Sequence, residues 1–372
     1  MPRFMRRIII WILVTSCLSG LIPCQASTPV VSASAYVLMD ADSGRVLLSQ
    51  NETAEKPIAS TTKIMTALVA LEQSRLTDMV TVKREHLKEG SSMYLAEGEK
   101  LTMEALLYGL MLPSGNDAAE CIADWCGKGR ERFVERMNEK AAALGMTHTS
   151  FANPSGLDAN GHYSCAIDMA RLMAHAMQNP TFAQIVSAES AMVGTRSMGN
   201  HNKLLGVFEG CIGGKTGYTG AAGRTLVTCA ERGGLRLVAV TLHDGSDWND
   251  HKALYEYGFS TYHSEQATER GREYALAAVR GGAAAYVRLC AAESVYLPLA
   301  EDETPVLRIE APGAVSAPVK AGQRCGRIVI LLGDTELGSV DLLAANDVAA
   351  VEDERGTQTL AERLRALFRT KR

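Results

Sequence analysis

The sequence predicts a mixed α/β chain of the α+β kind, with one antiparallel sheet flanked by helices and a small all-β domain after it. Three observations carry that expectation. "SAYVLMDADSGRVLLSQ" reads as two short strands around a turn at Asp40–Gly44. After Pro57 the apolar spacing becomes helical and stays so through several segments. From Cys211 the texture returns to strands, with "RTLVTCA" and "LRLVAVTL" flanking the turn "ERGG". Strands at both ends of a helical region imply a sheet assembled from the two ends of one domain.

The elements follow in order. Arg3, Arg6 and Arg7 precede the apolar run "IIIWILVTSCLSGLI", and "PCQAS" offers a small residue for cleavage after Ala26. Residues 1–26 are therefore expected to be a signal peptide, and the chain to be exported. Removing them would move the net charge from −4 to −7, which argues against a nucleic-acid partner. Thr61 to Glu72 carries Ile64, Leu68 and Leu71 at helical spacing, with Ser60 at its entrance. Further helices are expected over 102–111 and 117–126, separated by the turn formers "PSGN", then over Arg130–Leu144 and Ala166–Gln178.

The first domain is expected to span 27–264. Residues 265–352 contain short strand-like runs broken by Gly, Pro and acidic turns, the pattern of a β-sandwich domain. The tail, 353–372, places Leu360, Leu364, Leu367 and Phe368 on one helical face with a basic flank. Such a helix can lie on an anionic membrane surface. Seven cysteines follow Ala26 with no CxxC spacing, and the eight histidines show no HxH or HxxxH. Neither a disulfide framework nor a metal site is implied, and no cofactor is expected.

Three short motifs carry the chemistry. "GGKTG" at 213–217 resembles the end of a phosphate loop, but that pattern needs glycine where Glu209 stands, and a helix must follow. Strand-like sequence follows instead, so no nucleotide is expected. Ser60-Thr61-Thr62-Lys63 places an ammonium one helical turn from a hydroxyl. Burial beside a second lysine would lower the amine's pKa enough for it to take the serine proton. Ser114-Gly115-Asn116 adds a hydroxyl and an amide, and Lys215-Thr216-Gly217 adds a second lysine and an unobstructed strand backbone. The order SxxK, SxN, KTG is the active-serine signature of penicillin-binding proteins and serine β-lactamases.

On these motifs, and on the blocks "PIASTTKIMTALVALE", "GLMLPSGNDAAECIAD" and "FANPSGLDANGHYSCAIDMARL", residues 34–262 resemble the serine-type D-alanyl-D-alanine carboxypeptidases. These are the low-molecular-mass penicillin-binding proteins, peptidase family S11. The resemblance implies a serine β-lactamase/transpeptidase-like first domain located in the bacterial cell envelope. It also implies a peptidoglycan stem-peptide substrate ending in D-Ala-D-Ala, and covalent inhibition by β-lactams.

By the same resemblance Ser60 is the nucleophile and Lys63 the base. The amides of Ser60 and Tyr218 form the oxyanion hole. Ser114 relays a proton beside Lys215, Asn116 binds the peptide backbone, and Gly217 lets substrate lie along the strand. Thr216 and Arg236 are the candidates for the terminal carboxylate. His162, His201, Asp158 and Asp168 are expected to be structural. The alternatives are a D,D-endopeptidase, a β-lactamase (for which no "ExxLN"-like segment is present) and a non-catalytic wall-binding protein.

Overall fold

The structure, a computed structural model, describes residues 27–351. The expected signal peptide and basic tail lie outside the described residues. Strands β1 (Ala35–Asp40) and β2 (Val46–Gln50) form the first hairpin. A 3-10 turn, Ala59–Thr62, leads into α1 (Lys63–Gln73). The short pair β3 (Met79–Thr81) and β4 (Lys100–Thr102) precedes α2 (Met103–Met111), α3 (Asn116–Gly127) and α4 (Arg130–Ala143). Then come α5 (Ala166–Ala176), α6 (Pro180–Ser187), the hairpin β5 (Ser190–Val193) and β6 (Arg196–Gly199), and α7 (Leu204–Val207). Three long strands follow: β7 (Cys211–Thr219), β8 (Gly223–Arg232) and β9 (Leu235–Asp244). Helix α8 (Asp247–Thr261) closes the domain.

The sheet order is β2-β1-β9-β8-β7, so the N-terminal hairpin pairs with the last long strand and β7 is left as an edge. Side-chain alternation explains why both faces are covered. Val238, Val240 and Leu242 of β9 face the helices α1 to α6, whereas Leu235, Leu237 and Ala239 face Leu254 and Tyr255 of α8. Sequence analysis missed α8. Its buried positions include Asp247, Asp250 and His251, which blur the apolar stripe. His251 is held between Thr228 Oγ1 and Thr241 Oγ1 at 2.7 and 3.1 Å, so the polar group is satisfied beneath the sheet.

The second domain contains β10 (Tyr262–Thr268), β11 (Glu273–Arg280), β12 (Tyr286–Ala291) and β13 (Val295–Ala300). It is completed by β14 (Val306–Glu310), β15 (Ala314–Ser316), β16 (Arg324–Leu332) and β17 (Thr335–Ala344). Six strands make one sheet, and the ribbon β10-β13 packs Leu297 and Leu299 against Ile330. The boundary expected at 264/265 falls inside β10, which follows α8 directly and pairs with β13. Its sequence, "YHSEQAT", is too polar to have read as a strand.

Candidate active site

Ser60 sits in the 3-10 turn rather than at a helix cap, and Lys63 opens α1. Ala59 just before it has φ +47°, a sterically costly conformation for a residue with a Cβ. The turn is clamped on two sides. Thr225 Oγ1 of β8 donates to Ile58 O at 3.1 Å, and Gly156 packs so closely that a Cβ there would collide with Ala59 O.

Lys63 is fully buried. Its Nζ reaches Ser60 Oγ at 3.0 Å, Asn116 Oδ1 at 2.8 Å and Ser155 O at 2.6 Å. Burial, and then the nearby Lys215 ammonium, hold the Lys63 amine well below its ordinary value, against weaker opposition from Asp117 and Glu120. Lys215 is equally buried, and burial lowers its amine to about 7. Its Nζ donates to Thr216 O at 2.9 Å.

Ser114 stands at φ +63° in the loop before α3, and its buried Oγ has no hydrogen-bond partner among the described residues. The hydroxyl is therefore held at the cleft without being used by the fold. Asn116, expected to reach the substrate backbone, instead accepts from Lys63 and donates Nδ2 to Glu89 O at 2.8 Å. It ties the lysine to the loop that carries Ser91 into the cleft.

The cleft, about 510 Å³, is lined in part by Ser60, Ser114, Thr216, Tyr218, Arg224 and Asp247. Gly217 is required where β7 passes Ser60: a Cβ there would collide with Thr225 Oγ1 and lie 3.0 Å from Ser60 N. Tyr218 is largely exposed at the mouth.

The structure does not bring Arg236 to this cleft. Thr216 registers with Leu226 and then Thr241, five residues along β9 from Arg236, roughly 17 Å away. By strand alternation Arg236 also projects to the face packed by α1 to α6, while Thr216 and Tyr218 project to the face on which α8 lies. Its guanidinium pairs with Glu231 at 3.1 Å and Asp42 at 3.4 Å. Two cations line the cleft, Lys203 and Arg224, and Arg224 is the one opposite Tyr218 in the β7–β8 register, bonded to Asp247.

Sequence reasoning missed Arg224, Asp247 and the carbonyl of Ser155. For Arg224 the available signal was its position. It lies just beyond the β7–β8 turn, so the hairpin returns it beside the KTG strand. His162 is structural. It accepts from Ala152 N at 3.0 Å and bonds Thr62 Oγ1 at 2.8 Å, and burial lowers its imidazole to about 4. Asp168 is buried beneath His148 N and Thr149 Oγ1, and Asp158 accepts from Thr219 Oγ1.

The family model for D-alanyl-D-alanine carboxypeptidase matches residues 23–246, and that for the C-terminal domain of penicillin-binding protein 5 matches 262–350. The chain is 32% identical to D-alanyl-D-alanine carboxypeptidase DacF of Bacillus subtilis over 340 residues, covering 86% of this chain and 85% of that protein. It is 39% identical to DacB2 of Mycobacterium tuberculosis over 241 residues, covering 61% and 82%. Among solved structures, penicillin-binding protein 5 from Haemophilus influenzae aligns with a TM-score of 0.77 at 30% identity, covering 86% of this chain and 98% of that one.

Proposed function

The chain belongs to the D-alanyl-D-alanine carboxypeptidase family, and from that premise we propose how its own residues perform the reaction. Ser60 Oγ attacks the carbonyl carbon between the two terminal D-alanines of a peptidoglycan stem peptide. Lys63 takes the hydroxyl proton. The observation that carries this assignment is the set of three contacts around Lys63 Nζ. A neutral amine donates to the two carbonyl oxygens of Asn116 and Ser155, which leaves its lone pair facing the Ser60 hydroxyl.

The amides of Ser60 and Tyr218 receive the oxyanion, the latter from the free edge of the sheet. The unpartnered Ser114 hydroxyl passes a proton to the departing amine, beside the positive field of Lys215. Thr216 and Arg224 receive the carboxylate of the leaving D-alanine, Arg224 taking the part expected of Arg236. Water then hydrolyses the ester. A β-lactam acylates Ser60 by the same route and departs slowly.

Further proposals rest on the sequence. Residues 1–26 direct export to the cell envelope, and the basic tail adds contact with an anionic membrane surface. The catalytic domain ends with α8, and the β-domain begins at Tyr262. Ser60→Ala is expected to abolish both D-alanine release from a D-Ala-D-Ala pentapeptide, read by mass spectrometry, and labelling by a fluorescent penicillin. Labelling that persists in this variant would place the nucleophile elsewhere. Cleavage of a cross-linked dimer faster than the pentapeptide would favour the endopeptidase reading.

A further inference from the structure

Arg224 does not stand free in the cleft. Its Nη2 donates to Oδ1 of Asp247, the first residue of α8. The same Oδ1 accepts from Trp248 N at 2.9 Å, so the carboxylate is itself fixed to the helix start. The Trp248 ring lies 5.9 Å from the Arg224 guanidinium carbon, in cation–π range. Asp247 is 4% exposed and Arg224 45% exposed, so the clamp is buried behind and open in front. Among the described residues Arg224 makes no other side-chain hydrogen bond, so Nε, Nη1 and the second Nη2 proton have no side-chain partner and the Nη1–Nη2 edge can still take a carboxylate.

We propose that Asp247 is a positioning residue that sets the preference for a free C-terminal carboxylate by fixing the plane of the Arg224 guanidinium. The inference rests on the reading that Arg224 receives that carboxylate. An arginine on an exposed strand end samples many rotamers, and a carboxylate must pin it at the moment of binding. Asp247 and Trp248 hold it beforehand, in the cleft that Thr216 also lines. Asp247 also offsets the guanidinium charge. Binding then depends on two well-directed hydrogen bonds more than on unspecific attraction, and that favours a planar carboxylate over a neutral amide.

The test compares a D-Ala-D-Ala peptide carrying a free terminal acid with the same peptide as its terminal amide. In Asp247→Ser, which keeps an oxygen for the helix start, KM for the acid is expected to rise about tenfold with kcat within about twofold. The amide kinetics should be unchanged, so the acid-over-amide preference falls about tenfold. Asp247→Asn keeps an acceptor for Arg224 and should recover part of that preference. It also serves as the readout if the serine variant melts too early to assay. Equal losses on both peptides, or an intact preference in both Asp247 variants, would overturn the inference. Arg224→Gln separates the two levels. If it leaves the preference intact, the carboxylate reading of Arg224 fails, and this inference with it. If it removes the preference while the Asp247 variants do not, only the role of Asp247 fails.

Discussion

Lys63 and Lys215 are both fully buried, and they divide the labour by charge. Burial and its neighbour's ammonium hold Lys63 well below its ordinary value, and burial lowers Lys215 to about 7. A neutral Lys63 acts as base while Lys215 keeps its charge. Both groups protonate as pH falls. The acid limb of acylation therefore belongs to protonation of Lys63, and the alkaline limb, near pH 7 in the free enzyme, to loss of the Lys215 proton. Lys215→Arg, charged throughout, should move the alkaline limb of the penicillin acylation rate to higher pH. An unmoved limb would show that another group titrates there.

At this scale the sequence singled out Ser60, Lys63, Ser114, Asn116 and Lys215, and the fold gathers them: Ser60 and Ser114 line one cleft, Lys63 bonds Ser60 and Asn116, and Lys215 lies close enough to perturb Lys63. It misplaced Arg236 because spacing says nothing about which face and which end of a long strand a side chain occupies. Strand register decides that, and register is set by the turns at both ends.

The elements around the site are held together by backbone approach as much as by side chains. The segment "NPSG" hands Pro154 O to Thr66 Oγ1 and Ser155 O to Lys63, so a loop positions the base. Edge strand β7 runs against the nucleophile's turn only because position 217 lacks a Cβ. Gly217→Ala should push β7 away from Ser60 and slow acylation by about 100-fold, while the unfolding temperature falls by only a few degrees. Acylation within a few-fold of the parent would show that the strand relaxes without cost. The helices with clean apolar periodicity, α1 to α5, were legible. Helix α8 was not, since the first turns of its inward face carry two acids and a histidine, satisfied by Arg224, Ser32 and threonines of β8 and β9.

At the scale of the molecule, a change of texture in the sequence revealed two domains, but the junction was hidden. Helix α8 passes into β10 without a linker, and a second tie crosses the junction. Arg45, at the start of the first hairpin's second strand, donates to Glu303 and Pro298 O of the β-domain and lies 5.5 Å from the Tyr262 ring centroid. Both partners of the pair are mostly buried, so leaving Glu303 without its guanidinium is expected to cost about 1–3 kcal/mol. Arg45→Met should separate the unfolding of the two domains into distinct calorimetric transitions and leave D-alanine release unchanged. A single undivided transition at the parent temperature would show that the pair does not couple them.

The free edge of β7 has a consequence for how the protein must live at high concentration. A strand that stays unpaired to receive an extended peptide is, in solubility terms, an open template for any other extended chain. Soluble proteins commonly block such edges with outward charge or proline, but here the lysine is buried and three of the strand's nine residues are glycine. What protects it is depth. Ser91, His201 and Lys203 wall the edge into a groove, so one chain can enter lengthwise, whereas a second sheet would have to approach over those walls.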